Sequence, residues 1–257
     1  MSPSQRNPAG DITIASLAQQ ISSLSSQIAA HLAVNSLSDP SFSAEAEAGT
    51  VPDTTEYEAL RAPLNDAALD LLRLVNGPKS TLRTLFFSHY DLAALQVALD
   101  RRFFDHVPLP SDGSRHVPTA AVTEIAAKAG MDEDRAGRIL KLLATHRIFE
   151  EDEGEEGRYR HTAASAAFAR DTAFNATADM QMDDMLKAVS ETSTLINESP
   201  YESSTVKSAF HQRFGTSMYQ YYEENPPKAK RFGQAMSSWS QSKSGGGDPL
   251  RNIRGQG

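Results

Sequence analysis

Val122-Thr123-Glu124-Ile125-Ala126-Ala127-Lys128-Ala129-Gly130-Met131-Asp132-Glu133-Asp134-Arg135-Ala136-Gly137-Arg138-Ile139-Leu140 is the stretch on which the fold turns. Its apolar spacing predicts a short helix over 119–129, stopped by Gly130, whose missing side chain suits a left-handed helix end. Met131-Asp132-Glu133 is a tight turn. A second helix follows over 134–146, with Ile139, Leu140, Leu142 and Leu143 turned toward the first. Downstream, Arg147-Ile148-Phe149-Glu150 reads as a short strand, residues 152–157 as a polar turn, and Arg158-Tyr159-Arg160-His161 as the returning strand.

Working outward, helix–turn–helix followed by a β-hairpin is the winged-helix pattern. Residues 1–10 are polar and are expected to be disordered. A helix is expected over 11–37, capped by Asp11. Its Ile14, Leu17, Ile21, Leu24 and Ile28 recur every 3 and 4 residues as a heptad seam, until His31 breaks the pattern. Two readings stay open for it: packing on its own domain, or an arm that embraces a partner subunit. Residues 38–60, with Asp39-Pro40, Gly49 and Pro52, read as a linker. A helix is expected over 63–75, with Leu64, Ala68, Leu71, Leu72 and Val75 on one face, ended by Gly77-Pro78. The next, over 80–104, is apolar over a wide arc (Leu82, Leu85, Phe86, Leu92, Leu95, Leu99, Phe103) and is expected to be central. A further helix spans 179–197 with Met180, Met182, Met185, Leu186 and Val189. Asn225-Pro226-Pro227 opens the last one, which carries Phe232, Met236 and Trp239 at i, i+4 and i+7. Residues 241–257 read as a disordered tail.

Composition narrows the chemistry. The chain has 257 residues, enough for one or two domains, and 39% of them are hydrophobic. With no cysteine it has no disulfide scaffold, thiolate metal site or cysteine nucleophile. The net charge is −8, and residues 1–60 hold one basic side chain, Arg6, against seven acids. A nucleic-acid binder is ordinarily basic, so no nucleic-acid partner is expected. No apolar run reaches the ~18 residues of a membrane span and no leader pattern opens the chain, so no membrane and a cytoplasmic location are expected. The seven histidines (31, 89, 106, 116, 146, 161 and 211) lack metal-ligand spacing, and no metal is expected. Neither a Gly-x-Ser-x-Gly elbow nor a Gly-x4-Gly-Lys phosphate loop occurs. The acids at 150–156 lack the order of a calcium loop and read as a solvated hairpin tip.

The segment quoted above, with Arg147-Ile148-Phe149-Glu150 and Tyr159-Arg160-His161-Thr162-Ala163-Ala164-Ser165, resembles the winged-helix region of small-molecule O-methyltransferases that use S-adenosylmethionine (SAM), especially the fungal secondary-metabolite type. Ser88-His89-Tyr90-Asp91-Leu92 resembles the start of that family's central dimerisation helix. Phe210, Phe214-Gly215, Tyr219, Tyr222, Asn225-Pro226, Phe232 and Ala235-Met236 resemble the helices that precede its catalytic domain. The similarity runs over roughly residues 10–240. It implies a helical N-terminal domain that pairs two subunits, as a homodimer or with a full-length relative, and closes the pocket for a small aromatic or polyketide-type acceptor, with 61–170 as its dimerisation and winged-helix part and 171–240 as helices leading to the missing catalytic domain. The family's Phe-x3-Met-x2-His pattern falls on Phe232, Met236 and Trp239. These are the substrate-pocket candidates, although the histidine is replaced; a stripe of core packing is the plainer reading.

The family's donor site needs a strand, a Gly-x-Gly-x-Gly turn and a helix. Gly245-Gly246-Gly247 is the sole glycine run after Trp239, and serines and Lys243 stand where the strand should be. No catalytic or cofactor-binding residue is therefore assigned, and no SAM is expected on this chain. The fold class expected is mainly α: a helical dimerisation domain with a winged-helix subdomain, the Rossmann-like catalytic domain absent. The function expected is a truncated O-methyltransferase-like protein, not catalytic alone. Two alternatives stand beside it, a winged-helix DNA-binding regulator and a cofactor-free cyclase. Acidic Asp132, Glu133 and Asp134 at the would-be recognition helix speak against DNA.

Overall fold

The computed structural model describes residues 12–46, 51–111, 117–204 and 207–243, with side chains of the last helix described to Ser237. The described residues divide into two compact units, one within 12–40 and 51–88, the other within 41–46 and 89–243.

The first unit holds helix α1 (Ile14–Val34) and the leading part of α2 (Thr55–Asp100). α1 starts at a capping box: Thr13 Oγ1 accepts from the Ser16 N–H at 3.0 Å, and Ser16 Oγ accepts from the Thr13 N–H at 2.9 Å. Asp11, the expected cap, lies outside the described residues. Along the seam Leu17 is buried, Ile21, Leu24 and Ile28 are half-buried, and Ile14 is exposed.

α2 departs from expectation. It begins at Thr55, inside the expected linker, and the two helices expected over 63–104 are arms of one element ending at Asp100. Gly77 breaks its direction at φ 71° and ψ 167°. Only glycine adopts such a backbone cheaply, and Pro78, with no N–H to satisfy, suits the first turn of the second arm. The Thr81 hydroxyl returns to the Gly77 carbonyl at 2.9 Å. The central burial expected over 80–104 is met at Leu99 and Phe103 but not at Leu82, Leu85 and Phe86, which are exposed; Leu69, Leu72 and Val75 of the first arm are exposed as well, no described residue of their unit covering them.

The second unit is built on a closed apolar core. Ala94, Ala98 and Leu99 enter it from the end of α2. Phe103 and Phe104 enter from the single-turn α3 (Phe103–His106). The helix–turn–helix and hairpin follow as β1 (Ala120–Ala121), α4 (Val122–Ala129), α5 (Glu133–Thr145), β2 (Phe149–Glu151) and β3 (Arg158–His161). Gly130 ends α4 at φ 62°, and the Asp132 side chain caps α5 by accepting from the Arg135 N–H at 3.0 Å. Ile125, Leu140, Leu143, Phe149 and Tyr159 lose all exposure where these elements meet. The sheet is antiparallel in the order β1-β3-β2, with Ala120 opposite Tyr159 and Phe149 opposite His161. β1 was not expected, since two alanines carry no alternation to read.

Helices α6 (Ala163–Arg170) and α7 (Thr172–Met180), a π-helical turn (Gln181–Met185), α8 (Leu186–Val189), α9 (Thr192–Glu198), α10 (Ala209–Phe214), α11 (Met218–Glu224) and α12 (Pro226–Lys243) complete the unit. The single helix expected over 179–197 is thus divided. Residues 41–46, expected within a linker, are bound instead. Phe42 and Ala44 carbonyls accept from the Ala163 N–H (2.8 Å) and the Arg170 guanidinium (2.7 Å), and Ala44 is buried. The expected tail begins inside α12, and residues 244–257 lie outside the described set.

Candidate functional site

α12 carries the three candidate residues, and its sequence explains its placement. Pro226 and Pro227 occupy first-turn positions where backbone donors have no intrahelical partner. Ala235 is fully buried, and the Thr177 hydroxyl of α7 donates to its carbonyl at 3.3 Å. One step around the helix, Phe232 is half-buried and lies over the Tyr222 ring, centroids 4.8 Å apart and planes 26° apart. Met236 is also half-buried. Trp239 lies in α12, its side chain outside what is described. Phe232 thereby ends an aromatic chain that runs through Tyr222, Tyr221, Phe210 and Phe214.

A cleft of about 560 Å³ opens beside this helix, lined on α12 by Pro227, Lys228, Arg231 and Gln234, and elsewhere by Leu99, Phe104 and Phe168 among others. Phe232 and Met236 are not in its lining. The structure therefore places Phe232 and Met236 on the neighbouring stripe of the same helix.

Beneath α12 lies a charged cluster that sequence reasoning missed. Asp179 at the end of α7 and Asp183 and Asp184 in the π turn face Lys228 and Arg231. Arg231 donates to Asp179 (2.9 Å), Asp183 (3.0 Å) and Asp184 (2.6 Å). Lys228 donates to Asp183 (2.8 Å) and Asp184. The Tyr222 hydroxyl donates to Asp184 at 3.2 Å. Asp184 is fully buried. Burial pushes the Asp183 carboxyl up, but hydrogen bonds from Lys187, Lys228 and Arg231 outweigh it and hold that group well below the usual carboxylate range. Burial pulls Lys228 down, and its bonds to Asp183 and Asp184 carry it above an ordinary lysine. Burial, then the Asp184 charge, lifts the Tyr222 phenol. Asp183 therefore stays charged and Lys228 and Arg231 keep their protons at neutral pH, so these three hold one another in place. The readable signal was the pair Asp183-Asp184 inside a methionine-rich helix; its partners on α12, Lys228 and Arg231, lie more than 40 residues on.

Among the described residues no three His, Cys, Asp or Glu side chains converge as a metal site requires. No glycine-rich turn there joins a strand to a helix, so no described residue is assigned to the methyl donor. Gly245-Gly246-Gly247 lie outside the described residues. No described helix is long and apolar enough to cross a membrane.

Residues 84–171 match the model of the O-methyltransferase dimerisation domain. The O-methyltransferase sol2 of Alternaria solani is 40% identical over 225 residues, 88% of this chain and 50% of that protein. The chain carries the dimerisation domain of the SAM-dependent O-methyltransferases. The O-methyltransferase phnC of Penicillium herquei is 29% identical over 244 residues, 93% of this chain and 54% of that one. The chain spans about half the length of the curated relatives it matches. Among solved structures, OxaC aligns at a TM-score of 0.67 and 14% identity, over 87% of this chain and 50% of that one, and has been crystallised with SAH and oxaline. A pericyclic reaction enzyme aligns at 0.58 and 17%, over 68% of this chain and 44% of that one. At such identities these likenesses show the fold alone.

The comparison corrects the expected fold class. A fold from which the Rossmann-like catalytic domain is absent was expected; the solved neighbours are whole enzymes, matched over 87% of this chain and half of their own length. The fold class is theirs, and the described residues make its helical part. The absence read from the end of the sequence is withdrawn.

Proposed function

We propose that this chain provides the subunit-pairing and acceptor-enclosing part of a SAM-dependent O-methyltransferase of secondary metabolism, whose acceptor is a small aromatic or polyketide-type hydroxyl compound. The observation that carries the pairing half is the exposed apolar face of α2. Leu69, Leu72, Val75, Leu82 and Leu85 are each about half exposed or more, and the face runs into the matched dimerisation region that starts at residue 84. A face of that size on a lone subunit calls for a cover, and a second copy supplies one by two-fold symmetry. The acceptor half rests on Phe232 and Met236, which keep the spacing of the family's substrate stripe. Methyl transfer itself is not assigned to the described residues.

DNA binding gains no support. Asp132 caps α5, Arg138 pairs with Asp134 at 2.9 Å, and Arg160 pairs with Glu150 at 3.0 Å, so cations that phosphates would need are already neutralised. The test is light scattering on the purified chain, with SAM and a phenolic acceptor titrated by calorimetry. A dimer that a tagged copy exchanges into supports pairing; a monomer at tens of micromolar overturns it.

A further inference from the structure

We propose that Asp184 is a positioning residue for the acceptor face of α12, a role that rests on the reading above: from the π-helical turn its buried carboxylate grips Lys228, Arg231 and Tyr222 and so fixes the ring of Phe232. Each link is geometric. The Leu186 N–H reaches the Gln181 carbonyl, five residues back, so the turn holds one residue more than an α-helix would. Such turns are rare and recur where a side chain must be re-aimed. Here the extra residue brings Asp184 to zero exposure, while adjacent Asp183 keeps some.

Asp184 then takes two holds on α12. Lys228 and Arg231 stand three residues apart, on neighbouring turns, so the helix can neither roll nor slide without breaking a buried charge-assisted bond. The third hold is indirect: Tyr222 gives its hydroxyl to Asp184 and its ring face to Phe232. Rotation about α12 is 100° per residue, so even one residue of roll would carry Phe232 and Met236 off the face they share. Where α12 meets α7, the Thr177 hydroxyl reaches the carbonyl of the fully buried Ala235, a small-residue contact that by itself fixes the angle only weakly.

The test uses the whole chain and its single tryptophan, Trp239, as reporter. 2-Naphthol is titrated against tryptophan emission for the unaltered protein, Asp184→Asn and Tyr222→Phe. Saturable quenching is expected, with the dissociation constant raised about fivefold or more by Asp184→Asn and about twofold by Tyr222→Phe, which removes only the hydroxyl. Tyr222→Phe leaves the ion pairs intact, so it decides the question should Asp184→Asn fail to fold. Amide exchange is read in parallel, and faster exchange over 226–237 with residues 122–161 unchanged is expected for Asp184→Asn. Faster exchange with unaltered naphthol affinity overturns the proposal, since Asp184 would then merely hold the helix up. Unaltered affinity in both variants overturns it as well. If the unaltered chain shows no saturable quenching, the acceptor reading falls first and takes this one with it.

Discussion

His161 Nε2 lies 3.0 Å from the carbonyl oxygen of Val107, 54 residues earlier in the chain, and Nδ1 lies 2.8 Å from Ser165 Oγ. A carbonyl only accepts, so Nε2 carries the proton and Nδ1 accepts from the Ser165 hydroxyl. The neutral ring is fully satisfied in a site that is 3% exposed. Burial holds its pKa down to about 4, against the opposing pull of the Val107 bond. The unfolded chain takes up this proton below about pH 6.5, and the folded one only near 4. The stability tied to the neutral ring is therefore complete above pH 6.5 and is lost as pH falls toward 4, by about 3 kcal/mol at most. Urea midpoints at pH 7, 5.5 and 4 should fall steeply for the unaltered protein. In His161→Gln, weaker at pH 7, they should fall on a shallower slope.

Thr162 tests how the hairpin is fastened to α6. Its hydroxyl lies 2.7 and 2.8 Å from the Arg147 and Ile148 carbonyls, and it caps α6 through the Ser165 N–H. Thr162→Val keeps the volume and discards every one of these bonds at a 2% exposed site. A loss of about 2 kcal/mol is expected, with Thr162→Ser close to the unaltered protein, both read from urea unfolding.

Two glycines should answer an alanine scan with opposite signs. A Cβ on Gly130 would meet nothing within 4 Å, so Gly130→Ala costs only its left-handed backbone, about 1 kcal/mol. Gly137 lies inside α5, where an added Cβ would rest 3.5 Å from Val122 Cγ2, an ordinary contact. Gly137→Ala is expected to stabilise by about 0.5–1 kcal/mol in thermal denaturation.

Pairing and folding should separate by mutation. Leu72 and Leu85 are 58% and 70% exposed, so Leu72→Glu with Leu85→Glu is expected to halve the mass in light scattering while leaving the helical circular dichroism in place. Leu140→Ala, at a fully buried site, is expected to cost about 2–5 kcal/mol and leave the mass unchanged.

The order of the central elements was legible because each has its own stop: Gly130 ends one helix, Asp132 starts the next, and the glycine at 157 precedes the returning strand. The exposure of Leu82 and Leu85 was not legible, since an apolar arc looks the same whether its cover is the same chain or another. The run of α2 through Gly77 was hidden for a related reason. Gly-Pro normally ends a helix, and only the resumption of helical geometry at Pro78 makes two arms of one element. Of the site, the stripe Phe232–Met236 could be read from i, i+4 spacing. The cluster beneath it could not, because Asp184 faces inward only through an extra residue in one turn, and periodicity assumes that turn is regular.

The strap at residues 41–46 sets where this polypeptide can be cut. Ser43 bridges to Thr162, Phe42 and Ala44 feed their carbonyls to Ala163 and Arg170, and Arg147 covers the Phe42 ring at 5.2 Å. A shortened protein that opens at the obvious boundary, the first turn of α2, would discard a ligature lying a hundred residues upstream of what it fastens. Arg170 would surrender its carbonyl and the edge of α6 would be laid bare; expression trials should begin before Ser41.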